Sequence, residues 1–429
     1  MNYKLTAVLL AALTLAAGCR AASQVKGNGL AAIKQDRNGN VIENIVYIEV
    51  NNDDPRVALG YAFENTGIQF FDYVVLFAAN LRNRDCKAEL EAGETGHDCT
   101  KRGVHLHYNG NLSHILENRD KYIKPLQDSG IKVLLGLLGD WGGVGFGSFG
   151  SWPMEDVYPW TTAGNPANPQ GGAYPYTVEA RRAFIEEAAA EVKRLGLDGI
   201  DIDDEWGSGG DWPANQKGLC IYPDQAGYYD DRTAEDAAWA RCGVNLANFL
   251  VNARDALGPD AIINVYEYNS ARYMNIPANT RIMLENGRFL TTINGYYDYS
   301  VEAVYGAWST DGYNGHPHMR YAPVGIDIAG EDNPSSPRPP IRGAPLTIAE
   351  CARMELAVKR PYGVNMFYGL RSHEAAARPY GKEAHPKLWD AEEKRLLTQT
   401  EYLSLFSEVL YGRKIVYYGK DFPQDWTRR

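Results

Sequence analysis

Acidic residues alternate with isoleucines in one short stretch of the sequence. The segment LGLDGIDIDDEW, residues 195–206, has five acidic side chains within eight positions, with Ile200 and Ile202 between them. Side chains along a β-strand point alternately to opposite faces, so Asp201, Asp203 and Glu205 share one face and the isoleucines the other. Because acids are rarely buried unless they are paired or bound, this pattern indicates a chemical role.

Three carboxylates in one column cannot all ionise at low cost, since like charges raise one another's pKa. We expect some of them to share protons or to titrate at raised pKa values. A carboxyl that stays protonated near neutral pH can serve as a general acid. The column is therefore interpreted as catalytic.

Two other interpretations of these acids were weighed. A calcium loop also places Asp at alternate positions, but it needs Gly at its sixth position, where this chain has Trp206. A purely structural cluster is the second alternative, and it explains neither the spacing nor the location at a strand end. No Cys or His spacing resembles a zinc site, so we predict no metal and no cofactor.

Eight apolar segments with strand character recur along the chain, and amphipathic helical segments separate several of them. The strand candidates are residues 44–52, 71–81, 131–140, 197–206, 261–269, 297–308, 320–330 and 362–372, and the helix candidates are 112–130, 176–196, 235–258 and 398–412. This order predicts an α/β fold, a single-domain (β/α)8 TIM barrel with long loop insertions. An open doubly wound sheet is the alternative, disfavoured because no Gly-rich phosphate loop follows the first strand.

In such a barrel the column of acids would face the interior and the isoleucines the surrounding helices. Glu205 would lie nearest the open C-terminal mouth, with Asp203 and then Asp201 deeper. The long insertions at 82–104, 148–176 and 207–234 all follow strands, at the face where these barrels carry their active sites.

The N-terminus has the features of a secretion signal. Lys4 precedes an apolar run from Leu5 to Ala17, and LAAGC resembles a bacterial lipobox in which Cys19 is lipidated. We expect a lipoprotein signal peptide over 1–18, a tether over 19–40 and the barrel domain over 41–429. An ordinary signal with a chance cysteine is the alternative. The expected location is the bacterial cell envelope, lipid-anchored or secreted.

Composition limits the partners. With 43 basic and 54 acidic residues the net charge is −11, which disfavours nucleic acid and anionic lipid surfaces, so membrane contact is expected only through the lipid anchor. Abundant Tyr and Trp beside Gly, Asn and Pro suit sugar ligands. Cys86 with Cys99 and Cys220 with Cys242 bracket two loops and are predicted disulfides, with Cys351 a buried free thiol. We expect a monomer.

The pattern D-x-x-D-x-D-x-E, filled by Asp198, Asp201, Asp203 and Glu205, resembles the signature of glycoside hydrolase family 18. LDGIDIDDEW is more similar to the endo-β-N-acetylglucosaminidases of the endoglycosidase H and F type than to chitinases. Further stretches resemble the same enzymes in the same order: YIEVNNDDP, FDYVVLFAANL, LHYN, IKPLQDSGIKVLLGLLGDWGGVGFGSF, DYSVEAVYGAW and LFSEVLYG. The resemblance covers roughly residues 44 to 412.

The resemblance implies a retaining mechanism without an enzyme nucleophile. The substrate's 2-acetamido oxygen attacks the anomeric carbon and forms an oxazolinium ion. Glu205 would protonate the leaving oxygen and then act as the base for water. Asp203 would orient the acetamide, and Asp201 would share a proton with Asp203, while Asp198 would be structural.

The resemblance also implies a tyrosine on the sixth strand that holds the acetamide carbonyl. Tyr305 is the candidate by position, and a packing role is the alternative. Related enzymes often carry Asn or Gln just before this tyrosine, whereas residues 302–304 here are Glu, Ala and Val. Trp141, Tyr266 and Tyr368, at other strand ends, are candidates for stacking on sugars.

The implied activity is hydrolysis of the GlcNAc-β-1,4-GlcNAc bond in the core of N-linked glycans on glycoproteins, leaving one GlcNAc on the protein. A chitinase is the enzymatic alternative. A catalytically inactive, glycan-binding lipoprotein of the same fold is the alternative from another functional class.

Overall fold

The computed structural model describes most of the predicted barrel framework. The described residues are 34–82, 105–138, 178–203, 234–267, 282–284, 286–302, 321–322, 325–328, 348–357, 362–370, 389–390 and 395–419.

The strands of this part of the chain are short and mostly apolar. They are β1 (Val41–Glu49), β2 (Tyr61–Phe63), β3 (Tyr73–Arg82), β4 (His105–His107), β5 (Lys132–Leu138), β6 (Gly199–Asp203), β7 (Ile262–Glu267), β8 (Ile282–Met283), β9 (Phe289–Leu290), β10 (Tyr299–Glu302), β11 (Tyr321–Ala322), β12 (Gly325–Asp327), β13 (Tyr362–Tyr368), β14 (Trp389–Asp390), β15 (Arg395–Leu396) and β16 (Ile415–Tyr417).

The helices follow the strands in the alternation that the sequence predicts. They are α1 (Gly110–Glu117), α2 (Arg119–Tyr122), α3 (Lys124–Asp128), α4 (Val178–Leu195), α5 (Ala234–Leu257), α6 (Ile348–Ala357) and α7 (Gln399–Leu410), and a 3-10 helix spans Pro55–Gly60.

Eight parallel strand positions form the barrel. β1 pairs with β3 on one side and β13 on the other, and β3, β5, β6, β7 and β10 follow in order, each parallel to the next. The short strands β11 and β12 share the remaining position, since β11 pairs with β10 and β12 with β13. The predicted (β/α)8 barrel is confirmed.

The two faces of the barrel strands have different neighbours. Ile200 and Ile202 belong to the outer hydrophobic core with Phe184 and Val192 of α4 and Leu250 of α5. A second, smaller cluster fills the barrel interior with inward side chains of the strands: Ile45, Tyr47, Tyr73, Val75, Leu134, Tyr266, Tyr299, Val301, Ala322, Val364 and Met366. This division is the one expected when strands of alternating side chains are covered by helices.

Three barrel strands are preceded by an aspartate that joins them to the previous strand. In each case the carboxylate accepts a hydrogen bond from a backbone N–H of the adjacent strand, at the residue opposite the aspartate. The same carboxylate forms an ion pair with a basic side chain. The three sets are Asp72 with Asn44 N (2.8 Å) and Lys34, Asp198 with Val133 N (2.9 Å) and Lys132, and Asp298 with Ile263 N (2.9 Å) and Arg254. They satisfy N–H groups at the strand starts that would otherwise lack a partner.

The helix expected over 112–130 is instead three short helices. Asn118, with φ −107° and ψ 39°, ends α1 and precedes α2, and Pro125 lies in the first turn of α3. Proline lacks an N–H and its ring clashes with the preceding turn, so it begins a helix here rather than continuing one. The helix α6 was not among the predicted helices.

Residues 34–40, placed in the predicted tether, pack against the barrel. The N–H of Arg37 donates to Leu410 O at 2.9 Å, and its guanidinium donates to Glu408 O at 2.6 Å. The folded domain therefore begins before residue 41. Within the described ranges, no helix combines the length and the apolar character needed to cross a membrane.

Candidate active site

Asp201 lies in the barrel interior, where two side chains from other strands hold its carboxylate. The residue is 0% exposed. Its Oδ1 atom accepts hydrogen bonds from Tyr47 OH on β1, at 2.6 Å, and from the Asn264 amide on β7. Asn264 also donates to Tyr47 OH at 2.9 Å, so the three polar groups form a closed triangle.

The sequence brings Asn264 to this position through strand register. Asp201 is paired with Asn264 on β7 and with Gly136 on β5. A Cβ atom at Gly136 would lie 2.9 Å from Leu76 O and 3.2 Å from a methyl group of Val75. Glycine is therefore required at this level by the close approach of the neighbouring backbone.

Burial raises the pKa of Asp201 to about 7, and the hydrogen bonds from Tyr47 and Asn264 oppose part of that rise because they favour the ionised form. The Oδ2 atom of Asp201 is buried and accepts no hydrogen bond from any described residue. A carboxyl with this pKa is partly protonated at neutral pH. A raised pKa was expected within the acidic column from repulsion between carboxylates, whereas its cause at Asp201 is burial.

Asp203 ends β6 on the same face as Asp201. It is 3% exposed and is paired in register with Leu138 of β5 and Tyr266 of β7. Parallel strands of a barrel all end at the C-terminal face, where such enzymes build their active sites. The two aspartates therefore form an inward column that rises towards that face, as predicted.

Tyr266 and Tyr368 both line the barrel interior. The Tyr266 ring is 3% exposed and lies 5.5 Å from the Tyr47 ring, with 54° between their planes. Tyr368 ends β13 and is partly exposed. Tyr266 thus packs against Tyr47 on the side of the polar triangle nearer the C-terminal face. Sugar stacking by Tyr266 or Tyr368 stays a prediction.

The opposite end of the barrel is closed by a second polar cluster. The Glu43 carboxylate accepts hydrogen bonds from Tyr73 OH, at 3.0 Å, and from Tyr299 OH, at 2.8 Å, and the two hydroxyl groups contact each other. Burial, followed by the neighbouring Tyr299 and Glu43, raises the pKa of Tyr73 well above its ordinary value. Tyr73 therefore stays a neutral donor to Glu43, and the Tyr299 hydroxyl donates to the other oxygen of the same side chain.

Comparison with known proteins was made by sequence and by structure. No family model matches the chain. An endo-β-N-acetylglucosaminidase of Flavobacterium sp. (strain SK1022) is 23% identical over 378 residues, which are 87% of this chain and 82% of that protein. The resemblance to endo-β-N-acetylglucosaminidases is confirmed.

Two further relatives of the same kind are similar over different shares of their length. Endo-β-N-acetylglucosaminidase F1 of Elizabethkingia meningoseptica is 29% identical over 160 residues, 37% of this chain and 35% of that protein. The crystal structure of EndoBT-3987 of Bacteroides thetaiotaomicron, with a Man5GlcNAc product, aligns with 90% of this chain and 66% of its own, at 20% identity and a TM-score of 0.47.

Several residues predicted from the sequence to have a functional or structural role lie outside the described residues. They are Cys19, Cys86, Cys99, Trp141, Glu205, Cys220 and Tyr305. Cys242 and Cys351 belong to α5 and α6, and their side chains fall outside the description as well. The roles and disulfides assigned to these residues stay predictions.

Tyr47 and Asn264 were not among the predicted site residues. Each is far from Asp201 in sequence, by 154 and 63 residues, and no short motif connects them. One signal was present: Asn264 interrupts the apolar run IINVY, as the acids interrupt β6. A polar residue in the middle of an apolar strand needs a hydrogen-bond partner.

Asp198 has the structural position expected of it. Its Oδ2 atom accepts from Val133 N at 2.9 Å and from the Gln127 amide at 2.9 Å, before β6 begins. The described residues contain no group of His, Cys, Asp and Glu arranged to hold a metal ion.

Proposed function

We propose that this chain is an endo-β-N-acetylglucosaminidase that hydrolyses the GlcNAc-β-1,4-GlcNAc bond of the N-glycan core. The observation that carries the proposal is the inward column of Asp201 and Asp203 at the C-terminal end of β6. Continued alternation along the chain puts Glu205 on the same face, nearest the mouth. The similarity to the Flavobacterium endo-β-N-acetylglucosaminidase, over 87% of this chain and 82% of that protein, supports this activity.

In the proposed mechanism the substrate supplies its own nucleophile. The acetamido oxygen of the GlcNAc on the non-reducing side attacks its anomeric carbon while Glu205 protonates the departing glycosidic oxygen. The Asp203 carboxylate orients the acetamide and stabilises the positive charge that develops on its nitrogen. Glu205 then removes a proton from water, which opens the oxazolinium ion with retained configuration.

Asp201 keeps the charge of this site low. A second full negative charge one step below Asp203 would repel its carboxylate. With its pKa raised to about 7 by burial, Asp201 is available near neutrality as a neutral partner for Asp203. Tyr305 is proposed to hold the acetamide carbonyl, and Trp141 and Tyr368 to contact sugar rings.

The proposal is tested by mass spectrometry of a high-mannose glycoprotein incubated with the purified protein. We expect the protein to retain one GlcNAc at each site and the released glycan to carry the other at its reducing end. Glu205→Gln and Asp203→Asn are expected to abolish release. Asp204→Asn, at the neighbouring acid that alternation places on the opposite face, is the matched control and should retain activity.

Other outcomes of this experiment would contradict the proposal. A released glycan with both GlcNAc residues would refute the cleavage position. Faster hydrolysis of chitin oligomers than of glycoproteins would favour a chitinase. If the native protein and Glu205→Gln bind glycan equally and neither releases it, the protein is a glycan-binding protein.

We further propose that residues 1–18 are a signal peptide and that Cys19 carries a lipid, which would anchor the protein in the bacterial cell envelope as a monomer. The support is the LAAGC sequence after an apolar run. Metabolic labelling with a radioactive fatty acid should label the native protein and not Cys19→Ser. Light scattering of the protein without residues 1–19 measures its oligomeric state.

A further inference from the structure

Asn264 is a buried amide whose hydrogen bonds are directed at a single carboxyl group and its partner. Both hydrogen bonds of its Nδ2 atom are used, one by Asp201 Oδ1 and one by Tyr47 OH. Its carbonyl Oδ1 is buried and has no hydrogen-bond partner among the described residues. An unpaired buried carbonyl costs folding free energy, so leucine, similar in size, would suit packing better.

The two oxygen atoms of Asp201 therefore differ. Oδ1 accepts two hydrogen bonds, which occupy both of its lone-pair directions, whereas Oδ2 is buried and accepts none from the described residues. A proton bound to the carboxyl must consequently be on Oδ2. Without the Asn264 amide, Oδ1 would have a lone pair open, and the proton could occupy either oxygen.

We propose that Asn264 is a positioning residue that fixes the proton of Asp201 on Oδ2, where it can be donated to Asp203. Asp203 is the next residue on the same face of β6 and ends that strand. The role of Asn264 in the reaction rests on the proposed function, whereas the location of the Asp201 proton on Oδ2 does not depend on it. Asn264 acts through Asp201 and has no contact with the substrate in this assignment.

Other titratable groups also face the barrel interior. Tyr47 donates to Asp201, Asp203 is the next residue on the same face of β6, and Tyr266 is paired in register with Asp203 on β7. Among the side chains that the structure describes, the others are Glu49 and Tyr368 towards the mouth and Glu43, Tyr73 and Tyr299 towards the base. All of them are unchanged in the variants proposed below.

The first experiment follows the Asp201 carboxyl directly. The protein is labelled with aspartate carrying 13C at the carboxyl carbon, and the Asp201 signal is assigned as the one absent from Asp201→Asn. Because the Asn264 hydrogen bond favours the ionised form, Asn264→Leu should raise the titration midpoint of this signal by roughly one pH unit. The melting temperature should change about as much as in the control Asn365→Leu, since each substitution removes two hydrogen bonds donated by a buried amide and one buried carbonyl without a described partner.

The second experiment measures catalysis with the same variants on a glycoprotein substrate. Asn264→Leu should lower kcat roughly ten-fold or more with little change in KM, and shift the limb of the pH–rate profile that Asp201 controls to higher pH. In Asn264→Asp the new carboxyl can donate only while protonated. This variant should therefore recover activity at acidic pH and lose it towards neutral pH.

Asn365 supplies the matched control. It is a strand asparagine on β13, 1% exposed, that donates to Asn44 at 2.9 Å, away from Asp201. Asn365→Leu is expected to change the melting temperature without moving the Asp201 midpoint or the pH–rate profile.

An unchanged midpoint in Asn264→Leu would overturn the inference, and so would an equal shift in Asn365→Leu, because general packing would then explain it. A native protein that releases no glycan would refute the proposed function alone, since the carboxyl titration is read without substrate. A shifted midpoint with unchanged kcat would show that Asn264 affects the proton but has no role in positioning.

Discussion

Replacing Asp201 by Asn should remove a pH dependence from the stability of the barrel. Burial raises the pKa of Asp201 from its ordinary value of 3.8 to about 7. The asparagine amide has the same shape, and its carbonyl oxygen can accept the hydrogen bonds that Tyr47 and Asn264 donate to Oδ1. The variant therefore keeps these contacts and loses only the group that titrates.

The direction in which the unfolding free energy changes with pH follows from proton binding. A carboxyl whose pKa is higher in the folded than in the unfolded state stabilises the fold fully below the unfolded pKa, and this contribution is lost as the pH rises through the folded value. The loss should occur between pH 3.8 and about pH 7, the two pKa values of Asp201. Each pKa unit corresponds to about 1.4 kcal/mol, so the native protein should lose up to about 4 kcal/mol of unfolding free energy relative to Asp201→Asn.

Urea unfolding of both proteins, followed by tryptophan fluorescence at a series of pH values, measures this difference. Asp72, whose pKa burial raises to about 6 against the opposing charge of Lys34, is present in both proteins, so its contribution cancels. We expect the stability of the native protein minus that of the variant to decrease steadily from about pH 4 to about pH 7. A constant difference would mean that Asp201 is ionised throughout, and the argument from burial would be wrong.

Four further predictions concern single sites. Glu205→Gln should lower kcat for glycan release at least about 100-fold with an unchanged melting temperature, because it removes the general acid. Asp198→Ala should lower the unfolding free energy by about 1–3 kcal/mol, measured in urea, since it leaves a strand N–H without its acceptor. Gly199→Ala should cost more than about 2 kcal/mol, or prevent soluble expression, because a Cβ atom would lie 1.9 Å from Ile262 O. Thr398→Ala should lower stability by about 1 kcal/mol, since Thr398 and Glu401 form a capping box at the start of α7; equal melting curves would contradict this.

The barrel strands could be predicted because their apolar character comes from burial on both faces. The predicted segment 131–140 contains β5, 261–269 contains β7 and 362–372 contains β13. The acidic column was predictable for a related reason, because alternation along one strand fixes which side chains share a face. Both inferences depend only on residues close together in sequence.

The contacts that define the environment of Asp201 could not be predicted in this way. Tyr47 reaches it across the barrel from β1, which does not pair with β6, and Asn264 reaches it from the neighbouring β7, 63 residues further along the chain. The short antiparallel pair of β2 with β16 joins segments more than 350 residues apart. The periodicity of apolar residues indicates which face of an element is buried. It does not indicate which distant element packs against that face.

The contacts of Arg37 with the end of α7 fix the place at which the N-terminal segment joins the barrel. Residues 34–40 reach the barrel beside Asp72, where β3 begins, so the chain joins the fold at the base closed by Glu43 and its two tyrosines. The carboxylate column rises towards the opposite face. If Cys19 carries a lipid, as proposed, the chain that follows it enters the fold at this base, on the side opposite to the carboxylate column.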